Sequence, residues 1–120
     1  MKRIFVIALA AFMAFPFGTE AKPKKDACNE LKVISYNIRN GEAKDGTNSW
    51  IYRYAASSAM INDQKPDIFG VQEAYDYQVK YLEEYCKYYK SVGVGRENGK
   101  HEGEHMSIFY NKKTISLIKW

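Results

Sequence analysis

Proline is scarce in this chain, with 3 in 120 residues, and cysteine and histidine occur only twice each. With 46% apolar and 27% charged residues besides that scarcity of proline, the composition is that of a globular protein with no tract that predicts disorder. Cys28 and Cys86 allow a single pairing. It would close a long loop and stabilise by about 4 kcal/mol in the chain-entropy model; alternatively, Cys86 is a core residue on a helix face and Cys28 belongs to a leader. There is no dense Lys/Arg stripe. The net charge of +4 therefore favours polyanions only slightly and is weak evidence for nucleic acid. No internal repeat and no linker interrupts the chain after its first 30 residues.

A long apolar run is also missing. The longest, residues 4–17, is too short to span a bilayer. It follows Met1-Lys2-Arg3 and precedes Thr19-Glu20-Ala21, the basic, apolar, small order of a secretory signal. Residues 1–21 are thus expected to be removed, giving an exported protein, periplasmic or extracellular, that begins at Lys22. No cysteine directly follows the apolar run, which argues against a lipid anchor. The basic cluster Lys22-Pro23-Lys24-Lys25 reads as part of a solvated leader, residues 22–30. Removing Lys2, Arg3 and Glu20 leaves a net charge of +3.

Two short apolar runs carry the most information. Leu31-Lys32-Val33-Ile34-Ser35-Tyr36-Asn37 and Ile68-Phe69-Gly70-Val71-Gln72-Glu73 each read as a buried strand that ends in a polar residue. Glu73 is a hard oxygen donor of the kind a divalent cation needs, and an unpaired carboxylate at a strand end must meet a cation, a donor or water. Asn37 is neutral and can orient a carboxylate, a water or a phosphate oxygen, or it can close a turn on its own backbone.

Between them, Asn48-Ser49 offers an N-cap for a helix over 50–64 that Pro66 ends. Tyr75, Val79, Leu82 and Cys86 recur at helical spacing and predict an amphipathic helix covering a sheet. A strand is expected over 88–94, then a glycine-rich loop over 95–105. Two further runs, 106–110 and 114–120, read as a hairpin turning at Asn111-Lys112-Lys113. The tyrosines crowded between Tyr75 and Tyr89 read as packing rather than as a base-stacking platform. His101-Glu102-Gly103-Glu104-His105 has the letters of a zinc-protease helix, but Gly99 and Gly103 argue against a helix there.

Four segments occur together in one order: Ser35-Tyr36-Asn37-Ile38-Arg39; Asp45-Gly46-Thr47-Asn48-Ser49-Trp50 with Arg53; Lys65-Pro66-Asp67-Ile68-Phe69-Gly70-Val71-Gln72-Glu73; and Gly93-Val94-Gly95-Arg96 leading to Gly103-Glu104 and Ile108-Phe109-Tyr110. In this the chain resembles the endonuclease/exonuclease/phosphatase family over residues 31–120. The resemblance implies an α/β fold, the N-terminal half of a four-layer α/β sandwich in which two β-sheets are flanked by helices. It also implies cleavage of phosphoester bonds dependent on Mg²⁺ or Mn²⁺, with Glu73 as a metal ligand and Asn37 as an orienting residue. The substrate class stays open among nucleic acid, a phospholipid head group and a sugar or inositol phosphate.

In that family the remaining metal ligands and catalytic residues fall in the second half of the domain, beyond Trp120. The chain is therefore expected to be inactive alone; the alternative is a non-catalytic half-domain that self-associates or binds a partner through an uncovered sheet. Arg96 and Glu104 match a motif of secreted members and are expected at the substrate mouth. Arg39 either forks two donors onto a phosphate or forms a surface salt bridge.

Overall fold

The computed structural model describes residues 30–120. The expected signal, the leader up to residue 29 and Cys28 with any bond it makes lie outside the described residues. Strands β1 (Val33–Asn37) and β2 (Ile68–Gln72) run parallel, from Val33 beside Ile68 to Asn37 beside Gln72. Parallel neighbours need a crossover, and helix α1 (Trp50–Gln64) supplies it. Its first residue follows Ser49, whose extended backbone is that of an N-cap although its side chain makes no cap bond. The helix ends at Lys65, which is left-handed (φ 47°), because Pro66 disfavours right-handed helical backbone in the residue before it.

Helix α2 (Asp76–Tyr85) leads to β3 (Tyr89–Val92) and β4 (Ile108–Asn111). These two strands pair antiparallel, and β4 also pairs antiparallel with β2, giving the sheet order β1-β2-β4-β3. Strand alternation puts Phe69, Val71, Tyr89 and Phe109 on one face, where they meet Ile61, Val79, Leu82 and Cys86. Phe69 stacks on Phe109 at 4.5 Å, and the buried Tyr89 hydroxyl donates to the Pro66 carbonyl at 2.8 Å. The opposite face leaves Val33, Ser35 and Ile108 exposed. One sheet with helices on one face is an α/β arrangement that makes up part of the expected sandwich.

The expected hairpin over 106–120 is wrong. Residues 114–120 form no strand, and β4 instead pairs with β3 and β2. With both edges of β4 occupied, no ladder position remains for the following segment. Asn111 turns the chain away, its carbonyl accepting from the Thr114 and Ile115 amides at 3.1 and 2.8 Å. Cys86 is a buried residue at the C-cap of α2, where burial pushes its thiol pKa up to about 11. The tyrosines pack on one another along the helices: Tyr81 meets Trp50 edge-on at 5.8 Å and stacks on Tyr85 at 4.3 Å. Residues 95–105 are not helical, and His101 pairs with Asp76 at 2.8 Å while His105 is buried.

Candidate functional site

Because β1 and β2 are parallel and in register, their C-terminal ends lie side by side, and chain reversals there bring polar residues to one edge of the sheet. Asn37 ends β1, and Glu73 follows directly on β2. The Asn37 amide donates to Glu73 Oε1 at 2.8 Å, and the Asn40 backbone N–H donates to Glu73 Oε2 at 3.1 Å. Asn37 Oδ1 meanwhile accepts from the Arg39 backbone N–H at 2.8 Å. Asn37 therefore closes a turn and orients the carboxylate at once. Arg39 and Glu73 both take left-handed backbone, φ 63° and 58°. Such backbone costs a non-glycine residue about 1 kcal/mol or more and persists where the surroundings over-determine it.

The electrostatics keep this carboxylate ionised. The Asn37 amide, then the Asn40 N–H, and more weakly the Arg39 charge hold Glu73 below the usual carboxylate range. Its side chain is 34% exposed, so it is fixed on one side and open on the other.

Arg39 directs its fork elsewhere: Nε and Nη2 reach the Asp45 carboxylate at 2.8 and 3.0 Å, and only Nη1 approaches Glu73, at 3.9 Å. Of the two expectations for Arg39, the structure has the surface salt bridge. Asp45 is lowered by that hydrogen-bonded pairing with Arg39. The loop is also tied at both ends by Arg53, which donates to the carbonyls of Ile38 and Asn48.

Across the cleft, Arg96 pairs with Glu104 at 3.1 Å, and Asn40 Nδ2 donates to Glu104 Oε1 at 3.2 Å. The His105 backbone N–H bonds the Ala74 carbonyl at 2.6 Å, which docks the glycine-rich loop beside Glu73. Asn37, Gln72, Glu73, Arg96, Glu104 and Met106 line a cleft of about 590 Å³. Of the five residues singled out from the sequence, Asn37, Glu73, Arg96 and Glu104 line this cleft, and Arg39 only approaches it, its Nη1 3.9 Å from Glu73. Asn40, Asp45 and Gln78 were missed. Asp45 did open one of the segments that carry the resemblance, and Gln78 left a signal three residues after Tyr75 in a capping-box spacing, hidden because Tyr75 is not a usual N-cap residue.

Among the described residues no three His, Cys, Asp or Glu side chains converge on a metal-sized space. No protein-family model and no curated protein matches the sequence. Solved structures do. A mannosyl-6-phosphatase of Bacteroides thetaiotaomicron superposes with a TM-score of 0.70 at 37% identity, over 75% of this chain and 34% of that one. An endonuclease/exonuclease/phosphatase family protein from the same species gives 0.70 and 37% over 74% of this chain and 32% of that one. One from Bacteroides vulgatus gives 0.68 and 31% over 74% and 33%. The described residues thus form part of the fold of the endonuclease/exonuclease/phosphatase family. The chain spans about a third of the length of these relatives. Asn37 and Glu73 stand together at the strand ends of the part of that fold described here.

Proposed function

We propose that this chain supplies the metal-holding edge of an exported phosphoester hydrolase, with Glu73 as a ligand to Mg²⁺ or Mn²⁺. The observation that carries the reading is the Glu73 carboxylate, which is ionised, partly exposed and hydrogen-bonded once on each oxygen. Each oxygen keeps a lone pair for a hard cation. The donor set fits Mg²⁺, which is commonly held by one or two carboxylates and completes its coordination with water and substrate phosphate. When bound, such a metal polarises the phosphate and offsets charge on the leaving oxygen.

The chain's own residues hold and orient. Asn37 sets the carboxylate, while Arg96, 67% exposed and paired with Glu104, stands at the cleft mouth where a guanidinium suits a phosphate. One carboxylate and one amide do not supply metal clamp, base and leaving-group acid together. The chain alone is therefore expected to bind the cation weakly and to show no hydrolysis above background. Among sugar or inositol phosphates, nucleic acid and phospholipid head groups, likeness to a mannosyl-6-phosphatase favours a phosphorylated sugar.

Glu73→Gln keeps the shape and removes the charge. In a polypeptide joining this chain to the rest of the related mannosyl-6-phosphatase, that change should lower sugar-phosphate hydrolysis at least about a hundredfold. In the chain alone, Mn²⁺ should broaden the NMR signals of residues 37–41 and 72–74 first, and Glu73→Gln should abolish that pattern. Unchanged hydrolysis or broadening in the variant would end the assignment. For the export part of the reading, N-terminal sequencing of the secreted protein should begin at Lys22, and a secreted form retaining Met1 would contradict it.

A further inference from the structure

We propose that Gln78, which lies outside the cleft on α2, is the positioning residue for the Glu73 carboxylate and acts through the peptide group between Arg39 and Asn40. The Gln78 side chain is fully buried and hydrogen-bonded at both ends of its amide. Its Oε1 accepts from the backbone N–H of Gly41 at 3.0 Å and of Tyr75 at 2.9 Å, and its Nε2 donates to the Arg39 carbonyl at 3.1 Å. The Arg39 carbonyl and the Asn40 N–H are the two ends of one planar peptide unit. Gln78 therefore holds one end of that unit while Glu73 Oε2 accepts from the other at 3.1 Å. The bond to Gly41 fixes the next peptide as well, so the unit cannot swivel about its neighbours.

This arrangement also accounts for two local features. Arg39 needs restraint to stay at φ 63°, and the bond to its carbonyl supplies part of it. At Gly41 a Cβ would come within 2.8 Å of the Gln78 amide and closer still to the Tyr77 hydroxyl, so the close approach requires glycine. Aligned dipoles strengthen one another along a hydrogen-bonded chain, here from side-chain amide to peptide to carboxylate. The geometric part of the inference stands by itself; its consequence for a cation rests on the ligand reading of Glu73.

The test uses this chain and Gln78→Met, which keeps length and apolar volume but makes none of the three bonds. Ile61→Val, a core change away from the loop, serves as a control for general loss of stability. Amide exchange at Asn40 should speed up far more in Gln78→Met than in the control. The Mn²⁺ concentration that half-broadens residues 72–74 should rise about tenfold, the scale on which outer partners of a ligand act. Gly41→Ala, which pushes the loop off Gln78 but leaves the Tyr75 bond intact, should act in the same direction. Asn40 exchange that changes no more than in Ile61→Val, in both variants, overturns the proposal. Broadening that is insensitive to Glu73→Gln in the parent chain overturns the ligand reading instead, and the exchange data still decide the role of Gln78.

Discussion

Arg39 stands between two carboxylates, and the one it grips determines what Glu73 has left for a cation. Its fork lies on Asp45, with Glu73 only 3.9 Å from the remaining nitrogen. Asp45→Asn should release the guanidinium toward Glu73, where it competes with a divalent ion. The Mn²⁺ requirement should then rise several-fold, and adding Arg39→Ala should bring it back toward the parent value. A requirement that falls in Asp45→Asn would contradict this. At this scale Asn37 and Glu73 were readable because each is the polar residue where an apolar strand run gives out. Asn40 was not, since its N–H points at Glu73 only because Arg39 adopts left-handed backbone, which nothing in an arginine side chain foretells.

At the scale of elements, the start and end of α1 were legible from Ser49 and Pro66, and those of the parallel strands from their apolar runs. The failed hairpin was not, because whether residues 114–120 find a partner depends on a long-range pairing of β4 with β2. Lys65, exposed and left-handed, is an L-residue where glycine sits without strain. Lys65→Gly should raise stability by about 0.5–1 kcal/mol and the melting temperature by a few degrees. A lower melting temperature would count against strain at this cap.

Asp67 directly precedes β2 and ties it to the residue before β1, its carboxylate accepting from the Lys32 N–H at 2.8 Å. The Thr114 side chain and then that amide hold its carboxyl below the ordinary value of 3.8. A depressed carboxylate stabilises the fold above its unfolded pKa, and that contribution is lost as pH falls through the lower folded value. Thermal stability should therefore be level near neutrality and decline below about pH 4. Asp67→Asn should lose stability at neutral pH and show a shallower acid decline. An equally steep decline in the variant would mean that Glu73, Asp45 and Asp76, which are depressed likewise, carry it all.

At the largest scale, the sheet is covered on one face only among the described residues. Val33 and Ile108 are at least half-exposed on the other, and Met106 is exposed at the cleft. Exposed apolar side chains on an uncovered sheet face favour association. The chain should bind a hydrophobic dye and sediment with a concentration-dependent mass. Met106→Lys with Ile108→Thr should reduce both with little change in melting temperature. A monomer that ignores the dye at high concentration would show the face to be satisfied in another way.

The sheet order also has a consequence in time. Strand β2 lies between β1, which is made before it, and β4, which begins about 36 residues after Gln72. On a ribosome adding about 5–20 residues each second, the far edge of β2 waits roughly two to seven seconds for its partner. During that interval the nascent chain presents an unpaired strand of Ile68, Phe69 and Val71 to any neighbouring edge. A strand that is paired on both sides in the finished fold thus has an edge open for a time during synthesis, after the carboxylate has been made and before β4 arrives.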